Sequence, residues 1–234
     1  MNCAVSTTKF SSCRTCEFKS QAVEILGPDE LDILEKNCVE VEFRKGEMLF
    51  KQSSFSSHVI FIKSGLVKIH MTGLQGKDQI LKIVPAPTYL GLANLFGDTI
   101  NNYSASAVEQ TIACFIHIDV FKEFIEHNGN FALEIIKDIS REELTYFKRF
   151  VNHNQKHIDG RLAEILLYFV NEVYMNKRFI LPLNRKDLSA LVCASRESVI
   201  REMQSFASNG IIEVKGKQIE VLDERRLEQI SKNG

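Results

Sequence analysis

The chain has 234 residues, 44% of them hydrophobic and 25% charged, with a formal net charge of −1, so it is globular and large enough for one large or two moderate cores. Residues 151–234 hold 13 Lys and Arg against 11 Asp and Glu, a balance of only +2, which excludes bulk charge as a source of affinity for a polyanion and leaves only local arrangement. No stretch approaches the roughly 18 apolar residues of a membrane span and the polar opening segment lacks the apolar core of a signal peptide, so a cytoplasmic protein with no membrane partner is expected.

Residues 1–25 form a cysteine-bearing segment. In a reducing compartment its thiols, with the rest of the six (Cys3, Cys13, Cys16, Cys38, Cys114 and Cys193), are thiols or metal ligands and not disulfides. Cys13-Arg14-Thr15-Cys16 has the two-residue spacing that lets neighbouring thiolates meet one metal or cluster. After a capped helix entry at Gly27-Pro28-Asp29-Glu30, apolar β-type runs follow at 39–43, 48–51, 59–63, 66–71, 79–84 and 111–118, with glycine-bearing turns between them. Many short strands at near-regular spacing predict a small β-barrel or roll over 26–128.

Asn130 to about His157 reads as one long helix. Leu133, Ile136, Ile139, Glu143, Phe147 and Phe150 recur every three or four residues, with Ile135 and Tyr146 widening the stripe. Residues 129–157 are therefore a separate element, either a seam for a second helix or a helix packed on its own domain. Arg161–Tyr174, with Leu162, Ile165, Leu166, Phe169 and Val173 on one face, opens a last domain over 158–234.

Within that domain Asn184 caps a helix whose inward face carries Leu188, Leu191 and Val192, since an Asn side chain accepts a bond from an unpaired first-turn amide. Cys193-Ala194 leaves room only for a tight turn. Ser195 caps a second helix through about Ser208. At about 100° per residue, Val199, Met203 and Phe206 share one side, while Glu197, Arg201, Gln204 and Ser208 lie roughly opposite and Arg196 flanks them. Arg forks suit guanine and a Glu carboxylate suits the cytosine amino group. Asn209-Gly210 ends the helix. Ile211–Val214 and Gln218–Leu222 then flank Lys215-Gly216-Lys217, a hairpin tip whose lysines suit phosphate oxygens.

Leu183-Asn184-Arg185-Lys186-Asp187-Leu188, Ser195-Arg196-Glu197-Ser198-Val199-Ile200-Arg201 and Val214-Lys215-Gly216-Lys217-Gln218-Ile219 resemble the winged helix-turn-helix of the CRP/FNR family of bacterial transcription regulators. Arg44-Lys45-Gly46-Glu47-Met48-Leu49-Phe50 and Ile60 through Lys68 resemble turns of that family's cyclic-nucleotide-binding-type roll. The resemblance implies an α+β chain: an N-terminal β-roll (jelly roll), a long dimerisation helix and a C-terminal winged helix-turn-helix. It implies a homodimer that binds a palindromic double-stranded DNA operator with TGTGA-like half-sites, works with RNA polymerase and is no enzyme. Carried over, Arg196, Glu197 and Arg201 read bases, while Arg185, Ser195, Ser198, Lys215 and Lys217 meet the DNA backbone. His157 to Arg161 looks like the family hinge, with Gly160 absorbing a change of backbone angle. Two residues depart from the pattern, Cys193 where a turn glycine is usual and Glu202 where an apolar residue is usual.

The resemblance also bears on the effector. The family's cyclic-AMP pocket carries Gly-Glu and later Arg-Ser-Ala, whereas this chain has Gly91-Leu92 and Asn102-Tyr103-Ser104-Ala105. Burying a phosphate without a paired cation is costly, so cyclic AMP is expected not to bind in the usual manner, and Gly91, Leu92, Asn102, Tyr103 and Ser104 line the equivalent pocket. Cys114 lies where the oxygen-sensing branch has its central cluster ligand, and Cys3, Cys13 and Cys16 complete a candidate set of four; that branch's further cysteine is Ala22 here. The effector stays unassigned, with an iron–sulfur cluster, haem and redox-silent thiols all open. A β-roll protein that binds an effector without specific DNA binding is the alternative.

Overall fold

In the computed structural model the described residues are 12–73, 76–97 and 99–234. The chain divides into two compact units, residues 1–72 with 81–144, and 73–80 with 145–234.

The first unit begins with two short helices, α1 (Gln21–Glu24) and α2 (Pro28–Lys36). Ser20 caps α1 by accepting from the Val23 amide at 3.1 Å. Pro28 opens α2, where its fixed φ and missing N–H cost nothing. Eight strands follow: β1 (Cys38–Phe43), β2 (Met48–Phe50), β3 (His58–Ser64), β4 (Leu66–Thr72), β5 (Asp78–Pro85), β6 (Thr88–Leu90), β7 (Ser104–Ala107) and β8 (Thr111–His117). They form two four-stranded sheets, ordered β1-β8-β3-β6 and β2-β7-β4-β5, and so make the predicted roll.

The period of two along a strand decides what each face does. Ile60 and Ile62 of β3, Val67 and Ile69 of β4, and Ala105 and Ala107 of β7 fill the roll between the sheets. Val59 and Phe61 of β3 and Ile116 of β8 face the other way, into a second core with Leu34, Tyr89, Phe121 and Phe124. Buried on both faces, β3 reads as a continuous apolar run and not as an alternation. β6 and β7 were not among the expected strands. Ser-Ala-Ser-Ala has little intrinsic preference for a strand, yet β7 is buried throughout and held between β2 and β4.

Helix α3 (Ile118–His127) leads into α4 (Gly129–Gln155). Phe131 and Ile135 are packed into the roll's second core, which corrects the placing of Ile135 on the free stripe. Leu133, Ile136, Ile139, Tyr146, Phe147 and Phe150 are exposed, and Leu144 and Val151 join them. Glu143 falls inside this arc.

The second unit contains α5 (Ile158–Tyr168), a π-type turn over Phe169–Val173, β9 (Arg178–Ile180), α6 (Arg185–Val192), α7 (Arg196–Ser208), β10 (Ile212–Lys215), β11 (Gln218–Val221) and α8 (Glu224–Asn233). Gly160 is not at a free joint. It lies buried inside α5, and a Cβ there would come within 2.7 Å of the Gly234 carbonyl oxygen. Its missing side chain serves close packing. The break between helices falls at Lys156 and His157 instead.

Candidate nucleic-acid interface and sensor site

Local chemistry sets the geometry of the helix pair. The Asn184 side chain accepts from the Asp187 amide at 2.8 Å, and Ser195 Oγ accepts from the Ser198 amide at 3.1 Å, so both helices start at their predicted caps. Each such cap contributes about 1 kcal/mol. Between them Cys193 takes φ 51° and ψ 56°, the left-handed region that costs a residue with a β-carbon roughly 1–2 kcal/mol. The family's glycine would avoid that strain.

Val199, Met203 and Phe206 are buried, and Arg196, Glu197, Arg201 and Gln204 are exposed. The Arg201 side chain is 72% exposed and only distantly paired, its Nε 3.8 Å from Glu202. Glu202 is three-quarters covered, so the departure at this position is met by partial burial beside a guanidinium. The Glu197 carboxyl is held below the usual carboxylate range, first by a hydrogen bond from its own backbone amide and then by the Ser195 hydroxyl. It therefore remains an acceptor at neutral pH.

The wing is a two-residue hairpin, with Lys215 opposite Gln218 and Gly216 at φ 64°. Lys215 and Lys217 are exposed at its tip, and Lys215 Nζ is 2.9 Å from a Glu213 oxygen. Ser195 and Ser198 bond hydroxyl to hydroxyl at 3.1 Å. Arg185 stands at the first turn of α6 with one guanidinium nitrogen enclosed and without a hydrogen-bond partner among the described residues.

In the roll the expected pocket residues divide. Gly91, at φ 87°, donates its amide to the Tyr103 phenol at 3.0 Å, and Tyr103 packs edge-on to Phe50 with ring centroids 5.3 Å apart. Burial pushes the Tyr103 phenol up, so it stays neutral. An uncharged ring thus stands where the resemblance calls for an arginine. Ser104 is buried and its hydroxyl accepts from the Gln52 amide at 2.8 Å. Asn102 is exposed, and Leu92 packs against the second core, outside the roll.

The cysteines are gathered by the outer face of the first sheet. Register pairs Cys38 with Ile116 and Glu40 with Cys114 across β1 and β8, and Phe61 with Cys114 across β8 and β3. Cys38, Glu40, Cys114 and Lys63 thereby share one face. Residues 12–20 cover it: a turn joins the Ser12 carbonyl to the Thr15 amide at 3.0 Å, Arg14 pairs with Asp32 at 2.7 Å, Ser12 Oγ donates to Glu35 at 2.8 Å, and Ser20 meets the Tyr89 hydroxyl at 2.6 Å.

Between them is a cavity of about 310 Å³ lined by Cys13, Cys16, Glu35, Cys38, Glu40, Lys63 and Cys114. Cys38 bonds to the sulfurs of both Cys114 and Cys13; these bonds, then burial, push its own thiol up, while the bond from Cys38 draws Cys13 down. Lys63 forms a nearly buried ion pair with Glu40. No three His, Cys, Asp or Glu side chains among the described residues are arranged around a single ion. Cys3 lies outside the described residues. Cys38 was missed because only strand pairing brings it to Cys114, although Cys38 and Glu40 share a face by alternation alone.

Comparison with known proteins agrees with both halves of the chain. The profile of the cyclic nucleotide-binding domain matches residues 40–128, and that of the Crp-like helix-turn-helix domain matches 160–230. The chain is 25% identical to Electron transport regulator A of Shewanella oneidensis, over 94% of this chain and 90% of that one. It is 24% identical to the Fumarate and nitrate reduction regulatory protein of Vibrio cholerae, again over 94% and 90%. Among solved structures, FixK2 from Bradyrhizobium japonicum shares the fold with a TM-score of 0.75 at 18% identity, over 82% of this chain and 96% of that one. The roll, the long helix and the capped helix pair with its hairpin, matched by these profiles and relatives across most of the sequence, place the chain in the CRP/FNR family of DNA-binding transcription regulators.

Proposed function

We propose that the protein acts as a homodimer on a palindromic operator, with Arg196, Glu197 and Arg201 reading bases and Arg185, Ser195, Ser198, Lys215 and Lys217 holding the backbone. The supporting observation is the outer face of α7, where three exposed side chains of base-reading type lie between a capped N-terminus and a lysine-tipped wing. We assign 26–128 to sensing, 129–157 to dimerisation and 158–234 to DNA, in a cytoplasmic regulator that binds, contacts RNA polymerase and does not catalyse. No helix among the described residues is long and apolar enough to cross a membrane.

The apolar arc of α4 supports dimerisation, since exposed apolar patches of this size mark partner surfaces. A two-fold pair must hold its recognition helices about 34–36 Å apart to enter successive major grooves, so loss of the pair disables both. The double change Ile136→Glu with Phe147→Glu is expected to give a monomer in sedimentation and to weaken binding to a duplex with two TGTGA-like half-sites about 100-fold or more, the avidity of linked sites. A monomeric wild-type protein with full operator affinity would refute the reading.

The effector reading is chemistry held by cysteine and not cyclic AMP. Tyr103 occupies the Gly91 amide and offers no positive charge to a phosphate. Calorimetric titration with cyclic AMP is expected to show no micromolar binding, and micromolar affinity would overturn this part. The cavity offers four cysteines, the donor type of an iron–sulfur cluster, although among the described residues no three side chains surround a single ion. Such a cluster supplies one-electron redox chemistry; the chain's own part is to hold it with thiolates, exclude water with residues 12–20, and set the nearby field with Lys63 and Glu40.

A further inference from the structure

We propose that Cys38 is a ligand at this cavity, completing a four-thiolate site with Cys13, Cys16 and Cys114 for a thiophilic metal centre. The inference rests on the reading of the cavity as the sensor site and assigns it a donor set different from the one the sequence suggests, in which Cys3 was the fourth thiol.

Two elements supply the donors in pairs. Cys13 and Cys16 both line the cavity from the covering segment, which turns at Ser12–Thr15, and the β1–β8 register sets Cys38 and Cys114 on the sheet beneath. Cys38 is opposite Ile116, two residues from Cys114, so the pair is diagonal. Diagonal strand neighbours stand roughly 7–8 Å apart at Cα, whereas a disulfide needs Cα atoms within about 7 Å. This geometry disfavours a bridge between the two yet suits ligands that meet across a metal centre. Thiolate ligation would require the four thiols to release their protons to solvent. The Lys63 ammonium lies on the same sheet face but is already paired with Glu40, and Glu35 also lines the cavity, so it offsets only part of the negative charge that gathered sulfurs bring.

The test uses the full chain, purified and reconstituted without oxygen with ferrous iron and sulfide. A cluster would show iron and acid-labile sulfide in equal amounts with visible absorption. Cys38→Ser is expected to lose most of the bound iron, as Cys114→Ser does, while Cys3→Ser and Cys193→Ser keep it.

Because Cys38→Ser could fail to fold, the loaded wild-type chain is also alkylated and each cysteine read by mass spectrometry, before and after metal removal. Cys13, Cys16, Cys38 and Cys114 are expected to be protected by metal, and exposed Cys193 to react equally in both. Full metal content in a folded Cys38→Ser variant, or protection of Cys3 in place of Cys38, overturns the assignment and leaves the cavity reading standing. A wild-type chain that takes up no iron and sulfide overturns both.

Discussion

Replacing Gly65 with alanine is expected to destabilise the roll by about 3 kcal/mol, which at this chain length lowers the melting temperature by roughly 10 °C. Gly65 joins β3 to β4 at φ 96°, where a β-carbon costs about 1–2 kcal/mol. The added carbon would also stand 2.4 Å from the Gln110 carbonyl oxygen, 2.6 Å from Thr111 Oγ1 and 2.7 Å from Thr111 Cα. Those atoms cannot yield cheaply. Thr111 is fully buried, its hydroxyl donates to the Glu109 carbonyl at 3.0 Å, and overpacking of this kind costs about 1–3 kcal/mol.

Gly46 separates the two effects. It has a similar φ of 90° but nothing within 4 Å of the added carbon, so Gly46→Ala should cost only the conformational part, about 1–2 kcal/mol. Urea unfolding followed by circular dichroism measures both. Equal losses at the two positions would show that the close approach at Gly65 carries no energy of its own.

The two glycines also mark how far a sequence can be read. A positive φ is a local demand, visible as glycine between two apolar runs, but which backbone crowds Gly65 depends on a distant strand, at Gln110 and Thr111. Asn184 and Ser195 were legible because a cap is satisfied within three residues. Cys38 was not, since its partner is fixed by a register between β1 and β8. β7 escaped notice for the same reason. Gly160 shows the opposite error: by resemblance it is a joint, but close approach to Gly234 makes it a packing residue. Along α4 the apolar period was clear, yet it could not tell that Phe131 and Ile135 would be claimed by the roll while Leu133 and Ile136 stayed free.

Alanine at Arg196 or at Arg201 is expected to weaken specific DNA binding by about 1–3 kcal/mol each, the value of one good base pairing. Both side chains are exposed, so neither change should alter thermal unfolding, and the loss will reflect recognition alone. The two positions are five residues apart, a rise of about 7.5 Å along the helix, far enough for their effects to add approximately. The double variant should therefore approach non-specific affinity. Lys215→Ala and Lys217→Ala should act differently, weakening all duplexes alike and flattening the slope of log K against log salt by about one for each phosphate no longer neutralised. Lys215 should show less than Lys217, because its ammonium already lies 2.9 Å from a Glu213 oxygen. Competition between operator and scrambled duplexes across a salt series distinguishes these classes. If the arginine variants lost operator and scrambled affinity equally while the lysine variants lost discrimination, the assignment of reading to α7 and holding to the wing would have to be exchanged.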